Sequence, residues 1–167
     1  LDVSGFGEFA ALQSSFHDVW VRRGSSTVGE TLNYTPSDYF DTYPFLHLNV
    51  SRLGGVGSKY HQFRQQMMIE KGIGLTGVYN LMHSPSEQGL EILELRRLHA
   101  ELDKAVGTAY GWEDLDLDHS FYETKQGIRF TISEASRREV LDRLLALNHQ
   151  RHAEEVVGGL VEVAAQV

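Results

Sequence analysis

The sequence predicts a mainly α fold with a small β component (α+β): a helical module, a short β-hairpin and an irregular aromatic segment. Two observations carry this. Apolar residues recur at three- and four-residue steps through most of the 167 residues, the spacing of helices that bury one face. Period-two alternation is confined to Ile128, Phe130 and Ile132. A third observation places the irregular part. Pro36 and Pro44 forbid a helix through residues 25–50, a stretch crowded with Tyr34, Tyr39, Phe40, Tyr43 and Phe45.

In chain order, Phe9, Leu12, Phe16, Val19 and Trp20 predict one helix from Phe6 to Arg23, with Arg22 and Arg23 as a cationic last turn ahead of Gly24. Residues 25–50 read as a polar turn and short extended segments. Leu53, Val56, Tyr60, Phe63 and Met67 predict a second helix from Arg52 to Lys71, closed by Gly72. Its glycines at 54, 55 and 57 each cost about 1 kcal/mol against alanine, which points to close packing or a frayed start. A short helical turn follows over Leu75–Met82. Ser84-Pro85-Ser86-Glu87 reads as a capping box opening the next helix, with Pro85 at its first position. That helix carries Ile92, Leu95, Leu98, Leu102 and Val106 on one face and ends near Tyr110-Gly111. After an acidic loop over 113–118, Phe121–Thr124 and Ile128–Ile132 predict a hairpin around Lys125-Gln126-Gly127. Ser133 caps a last helix that turns Val140, Leu141, Leu144, Leu145 and Leu147 inward, with Gly158-Gly159 marking a break or a frayed tail.

Composition excludes several classes. The chain is 41% hydrophobic and 23% charged, too apolar for wholesale disorder, and has no apolar run long enough to span a membrane. It has no cysteine, hence no disulfide, thiolate metal site or cysteine nucleophile, and this suits a reducing cytoplasm. Beginning at Leu1, it reads as an excised piece of a longer protein. The net charge of −8 is the wrong sign for a simple nucleic-acid binder, but it is unevenly spread. Residues 1–83 sum to −1 and residues 84–167 to −7, so the first half is the better candidate to face a polyanion.

Catalytic signatures are missing: there is no P-loop, no dinucleotide-binding glycine loop, no H-E-x-x-H and no G-x-S-x-G. Asp114, Asp116 and Asp118 imitate a calcium loop, but His119 stands where its glycine belongs and Lys125 where its last glutamate belongs. His149 and His152, with Glu155, have metal-ligand spacing on a helix without a further ligand nearby. Glu123-Thr124-Lys125 with Asp38 can be read as a metal-dependent nuclease set, though lysine is common in hairpin turns. The segment from Gly24 to Phe45 gathers hydroxyls, aromatics and Asp38 behind Arg22 and Arg23. Its residue types suit phosphate and base-edge contacts, and equally suit a loop anchored by its aromatics.

Five phrases within the chain carry a resemblance. They are Leu12-Gln13-Ser14-Ser15-Phe16-His17 with Trp20, Tyr34 to Phe45, Gly72 to Asn80 with His83 and Pro85, Leu98 to Val106 with Ala109-Tyr110-Gly111-Trp112, and Leu144 to Asn148. In this order they resemble the C-terminal part of large DNA adenine-N6 methyltransferases of restriction–modification and phage-defence systems. The second departs from the family phrase at Tyr39, usually cysteine, and at Leu46, usually proline. The resemblance implies two regions. Residues 1–50 would be the end of a target-recognition region, and residues 51–167 a helical C-terminal module with a small hairpin near 121–132. It implies a parent enzyme that moves a methyl group from S-adenosylmethionine to adenine, with duplex DNA and the missing methyltransferase domain as partners.

The methyl-donor loop and the Asn-Pro-Pro-Tyr/Phe motif of that family are absent here, so the chain carries no catalytic, cofactor or metal residue of its own. The expected role is to position DNA or to brace the recognition domain. The alternative is a protein-interaction module without DNA contact. Phosphate candidates are Arg22, Arg23, Lys59 and Arg64, with Thr35, Ser37 and Asp38 as neutral or base-edge contacts. The DNA reading expects the four cations to converge on one face.

Overall fold

A computed structural model describes residues 5–23, 39–45 and 50–165, with side chains described as far as 159. Its elements are α1 (Phe6–Gln13), α2 (Ser15–Arg22), a 3-10 turn (Val50–Leu53), α3 (Gly54–Lys71), α4 (Leu75–Met82), α5 (Leu90–Ala109), β1 (Ser120–Thr124), β2 (Gly127–Thr131) and α6 (Glu134–Ala165). The fold is mainly α with one two-stranded antiparallel sheet, as the sequence predicts. In that sheet Phe121 pairs with Phe130 and Glu123 with Ile128. No helix among the described residues is long and apolar enough to cross a membrane.

One core runs through the helices and includes Phe16, Trp20, Tyr60, Leu95, Leu98, Leu102, Ile132, Val140 and Leu144. α5 lies at its centre: the apolar face expected of it, Ile92 through Val106, is buried throughout. α1 crosses α3 at close range because Gly57 carries no side chain there, and α1 meets the 3-10 turn closely because Gly7 carries none. A Cβ on Gly57 would fall inside the van der Waals envelope of the Phe6 carbonyl oxygen, and one on Gly7 would strike the Val50 carbonyl. The glycine cluster at the start of α3 thus serves close packing at Gly57, whereas Gly54 and Gly55 face open space.

Three boundaries differ from expectation, each for a local reason. The first helix is broken into α1 and α2 at Ser14, whose backbone is extended (φ −70°, ψ 155°). The Ser14 hydroxyl donates to the Ala11 carbonyl and accepts from the His17 amide, so it closes one helix and caps the next. The stretch Ser84–Glu87 forms a turn rather than a capping box, and α5 begins only at Leu90. α6 continues through Gly158-Gly159 to Ala165 instead of breaking there. Other expectations hold: Gly72 ends α3 in the left-handed region (φ 62°), and the Ser133 hydroxyl caps the Ser136 amide.

Of the 25–50 segment, residues 39–45 are described and form turns anchored on the core. Tyr43 is buried, Trp20 Nε1 donates to Thr42 Oγ1 at 3.3 Å, Asn148 Nδ2 donates to the Thr42 carbonyl at 2.8 Å, and the Tyr110 hydroxyl donates to the Pro44 carbonyl at 2.9 Å. In this part the aromatic residues act as anchors.

Candidate functional site

Two interior polar networks bind the helices together. In the first, Asp103 on α5 is fully buried and accepts three hydrogen bonds: from the Ser15 amide (2.7 Å), from the Ser15 hydroxyl (2.6 Å) and from His119 Nε2 (2.8 Å). His99, one turn earlier on α5, places Nε2 3.3 Å from Ser15 Oγ. Burial acts to raise the Asp103 carboxyl, but the adjacent His99 and the hydrogen bonds from His119 and Ser15 hold it below its ordinary value. Burial holds His99 below its ordinary value despite Asp103 beside it. Its Nδ1 has no hydrogen-bond partner, which fits a neutral ring protonated at Nε2.

This cluster contains a serine, two histidines and an aspartate, yet it is not built as a nucleophilic triad. Such a triad needs the imidazole between serine and carboxylate, so that the ring takes the hydroxyl proton. Here the serine gives its proton directly to the carboxylate. The arrangement is a strut between α2, α5 and the segment entering β1.

The second network is centred on Arg64 of α3. Its Nη1 donates to Gln13 Oε1 (2.7 Å) and to the Tyr79 hydroxyl (2.8 Å), and the Tyr79 hydroxyl donates to the same Gln13 oxygen (3.0 Å). Arg96 plays a similar part on α5. Its guanidinium donates to the carbonyls of Leu81, Met82, Ser84 and Glu87 and lies 4.8 Å from the Phe121 ring centre. The fork gathers the turn between α4 and α5, which explains why Ser84–Glu87 closes as a turn instead of starting a helix.

The surface feature beside these networks is a cleft of about 600 Å³ where α2, α4, the hairpin and the first turns of α6 meet. Val19, Met82, Phe130 and Leu141 contribute apolar surface to its lining, beside the buried polar groups Ser15 and His99. Five arginines line it: Arg22 and Arg23 from the end of α2, Arg129 from β2, and Arg137 and Arg138 from α6. Asp18 and Glu134 are its only acids among the described residues. They pair with Arg22 (2.8 Å) and Arg138. Arg23 lies over the Trp20 ring, 3.7 Å from its centre, and donates to the Trp20 carbonyl and to Thr42 Oγ1. His83, also in the wall, accepts a hydrogen bond from the Phe130 amide at Nδ1. Its pKa is pushed down to about 4, first by burial and then by Arg129, His99, Arg96 and Arg22. The positive field of the cleft acts in the same direction as burial.

The four cations expected to converge do not share one cavity. Arg22 and Arg23 line the cleft. Lys59 lies in a separate groove between α3 and α5, 3.8 Å from Glu101. Arg64 is buried and committed to Gln13 and Tyr79. Thr35, Ser37 and Asp38 lie outside the described residues. Sequence reasoning missed Arg129, Arg137 and Arg138, because they belong to the half of the chain that is acidic on average. Their only sequence signal is position: one on the hairpin and two in the first turn of the helix after it.

The other candidate ligand sets stay apart. Asp114 forms a two-pronged pair with Arg143 of α6 (2.9 and 2.7 Å), which pins the acidic loop to that helix. His149, His152 and Glu155 are exposed on α6. No three His, Asp or Glu side chains among the described residues converge as a metal-binding group. No family model, no curated protein and no solved structure matches this chain.

Proposed function

We propose that this chain is the C-terminal portion of a DNA adenine-N6 methyltransferase, and that its task is to hold DNA beside a catalytic domain rather than to perform chemistry. The observation that carries the reading is the segregation of five arginines into one cleft of a chain whose net charge is −8. Concentrated positive charge attracts a phosphate backbone even when the average charge would repel it. The sequence resemblance supplies the enzyme class. In this reading S-adenosylmethionine and the reacting adenine belong to the partner domain, and the interior struts hold the cleft walls at fixed spacing. Many residues that carry the resemblance, such as Gln13, Ser15, Tyr79, His99 and Asp103, are members of those struts.

A second reading, a protein-interaction module without DNA contact, is favoured by exposed apolar side chains at the start of α5, where Leu90 is 84% and Leu93 42% accessible. A fluorescence-anisotropy titration with a labelled duplex separates the two. The DNA reading expects affinity to fall about fortyfold between about 50 and 200 mM salt for three phosphate contacts, and to weaken further in Arg22→Ala/Arg23→Ala. Absence of binding at the lower salt would leave the interaction module as the better account.

A further inference from the structure

We infer that the arginine cleft grips the sugar–phosphate backbone of a single nucleic-acid strand, with Arg129 and Arg137 as its principal phosphate contacts. The inference rests on the DNA reading above and narrows it.

The first argument is what these two side chains do not touch. The second half of the chain has sixteen carboxylate residues to nine cations, and most of its arginines are already occupied. Arg97 holds Glu94 and Glu101, Arg138 holds Glu134, Arg143 holds Asp114 and Glu139, and Arg96 is spent on backbone carbonyls. Arg129 makes only a 3.1 Å bond to its neighbour's carbonyl, at Ile128, and Arg137 makes no side-chain hydrogen bond or ion pair among the described residues. Both are half-buried in the cleft wall. Two partly desolvated guanidinium groups left without carboxylates, where carboxylates are abundant, mark a place kept for an external anion.

The second argument is shape. A concavity of about 600 Å³ is in the range that encloses a ligand of roughly nucleotide size. It cannot enclose the cross-section of a duplex, whose backbones would meet only the rim. A single strand can enter and lay successive phosphates between the α2 wall and the hairpin–α6 wall. The lining offers Phe130, with Gln126 and Thr131 as neutral polar groups. The lowered pKa of His83 adds that protonating this wall is unfavourable, as expected where fixed positive charge is already concentrated.

The test is an anisotropy titration of the full chain with a labelled single-stranded 12-mer and with the matching duplex, repeated on Arg129→Gln/Arg137→Gln. The parent chain should bind the strand at least as tightly as the duplex, despite the duplex's higher charge density. The double variant should lose about tenfold in strand affinity at low salt, and its salt slope should be shallower by about 1.4, the value for two single-strand phosphate contacts. Arg137→Gln alone, with a slope change of about 0.7, carries the test if the double variant melts early.

Strand affinity unchanged in these variants, or no strand binding by the parent chain, would overturn the inference. So would an oligoglutamate of equal charge competing as well as the strand, since the site would then accept an acidic polypeptide. Duplex binding that depends on Arg22 and Arg23 but not on Arg129 and Arg137 would sink this inference and leave the broader DNA reading standing. Loss of both nucleic-acid arms would remove the two together.

Discussion

Asp103→Ala lowers the unfolding free energy by about 3–5 kcal/mol. The carboxylate is fully buried and accepts from the Ser15 amide, the Ser15 hydroxyl and His119. Its removal leaves several buried donors without acceptors and a void within the core of α5. Three elements lose their common tie at once. Asp103→Asn keeps the shape and one acceptor but sets an NH2 group against a donor, so it falls between the parent and the alanine variant. Ser15→Ala removes one donor and leaves the carboxylate its other partners, at about 1 kcal/mol. Urea denaturation followed by circular dichroism gives the order directly. An Asp103→Ala midpoint close to that of the parent would show that the strut contributes little.

Arg96→Met destabilises by about 2–4 kcal/mol and loosens the α4–α5 turn specifically. Methionine retains most of the stem volume, so the change isolates the guanidinium. Four carbonyls, of Leu81, Met82, Ser84 and Glu87, lose a shared donor, and Phe121 loses the cation over its ring. Arg96→Lys recovers only part of the loss, because an ammonium cannot reproduce the planar fork that reaches carbonyls on both sides of the turn. Limited proteolysis reads the local effect: cleavage within residues 82–89 should accelerate more than global stability loss accounts for. Equal protection in parent and variant would mean that the turn holds without Arg96.

How much of this was legible in the sequence depended on the range of the interaction concerned. Elements set by near neighbours were readable. The apolar steps along α5 and α6, Gly72 as a left-handed stop and Ser133 as a cap are all decided within a few residues. Elements set by distant partners were not. The break at Ser14 is invisible to apolar periodicity, because Phe9 to Trp20 keep one face across it. The late start of α5 follows from Arg96 reaching back to Glu87 and Ser84, which overrides a locally good capping box.

The polar interior was half visible. His99 and Asp103 stand four residues apart on a face otherwise made of Leu95, Leu98, Leu102 and Val106, and a buried polar pair demands partners. Those partners, Ser15 and His119, sit on other elements, and His119 reads in sequence merely as the residue that spoils a calcium loop. The cleft was the least legible. Arg22 and Arg23 stood out as a pair, while Arg129 and Arg137 join them only once the hairpin and α6 have docked.

The most direct test of the central claim, that the arginine cleft is the DNA-facing surface, is to map a short single-stranded DNA onto the chain by amide chemical-shift perturbation at low salt. Shifts concentrated at Arg22, Arg129 and Arg137 and their neighbours around the cleft are the expected result. Shifts centred instead on the Lys59 groove between α3 and α5, or no shifts at any amide, would contradict it.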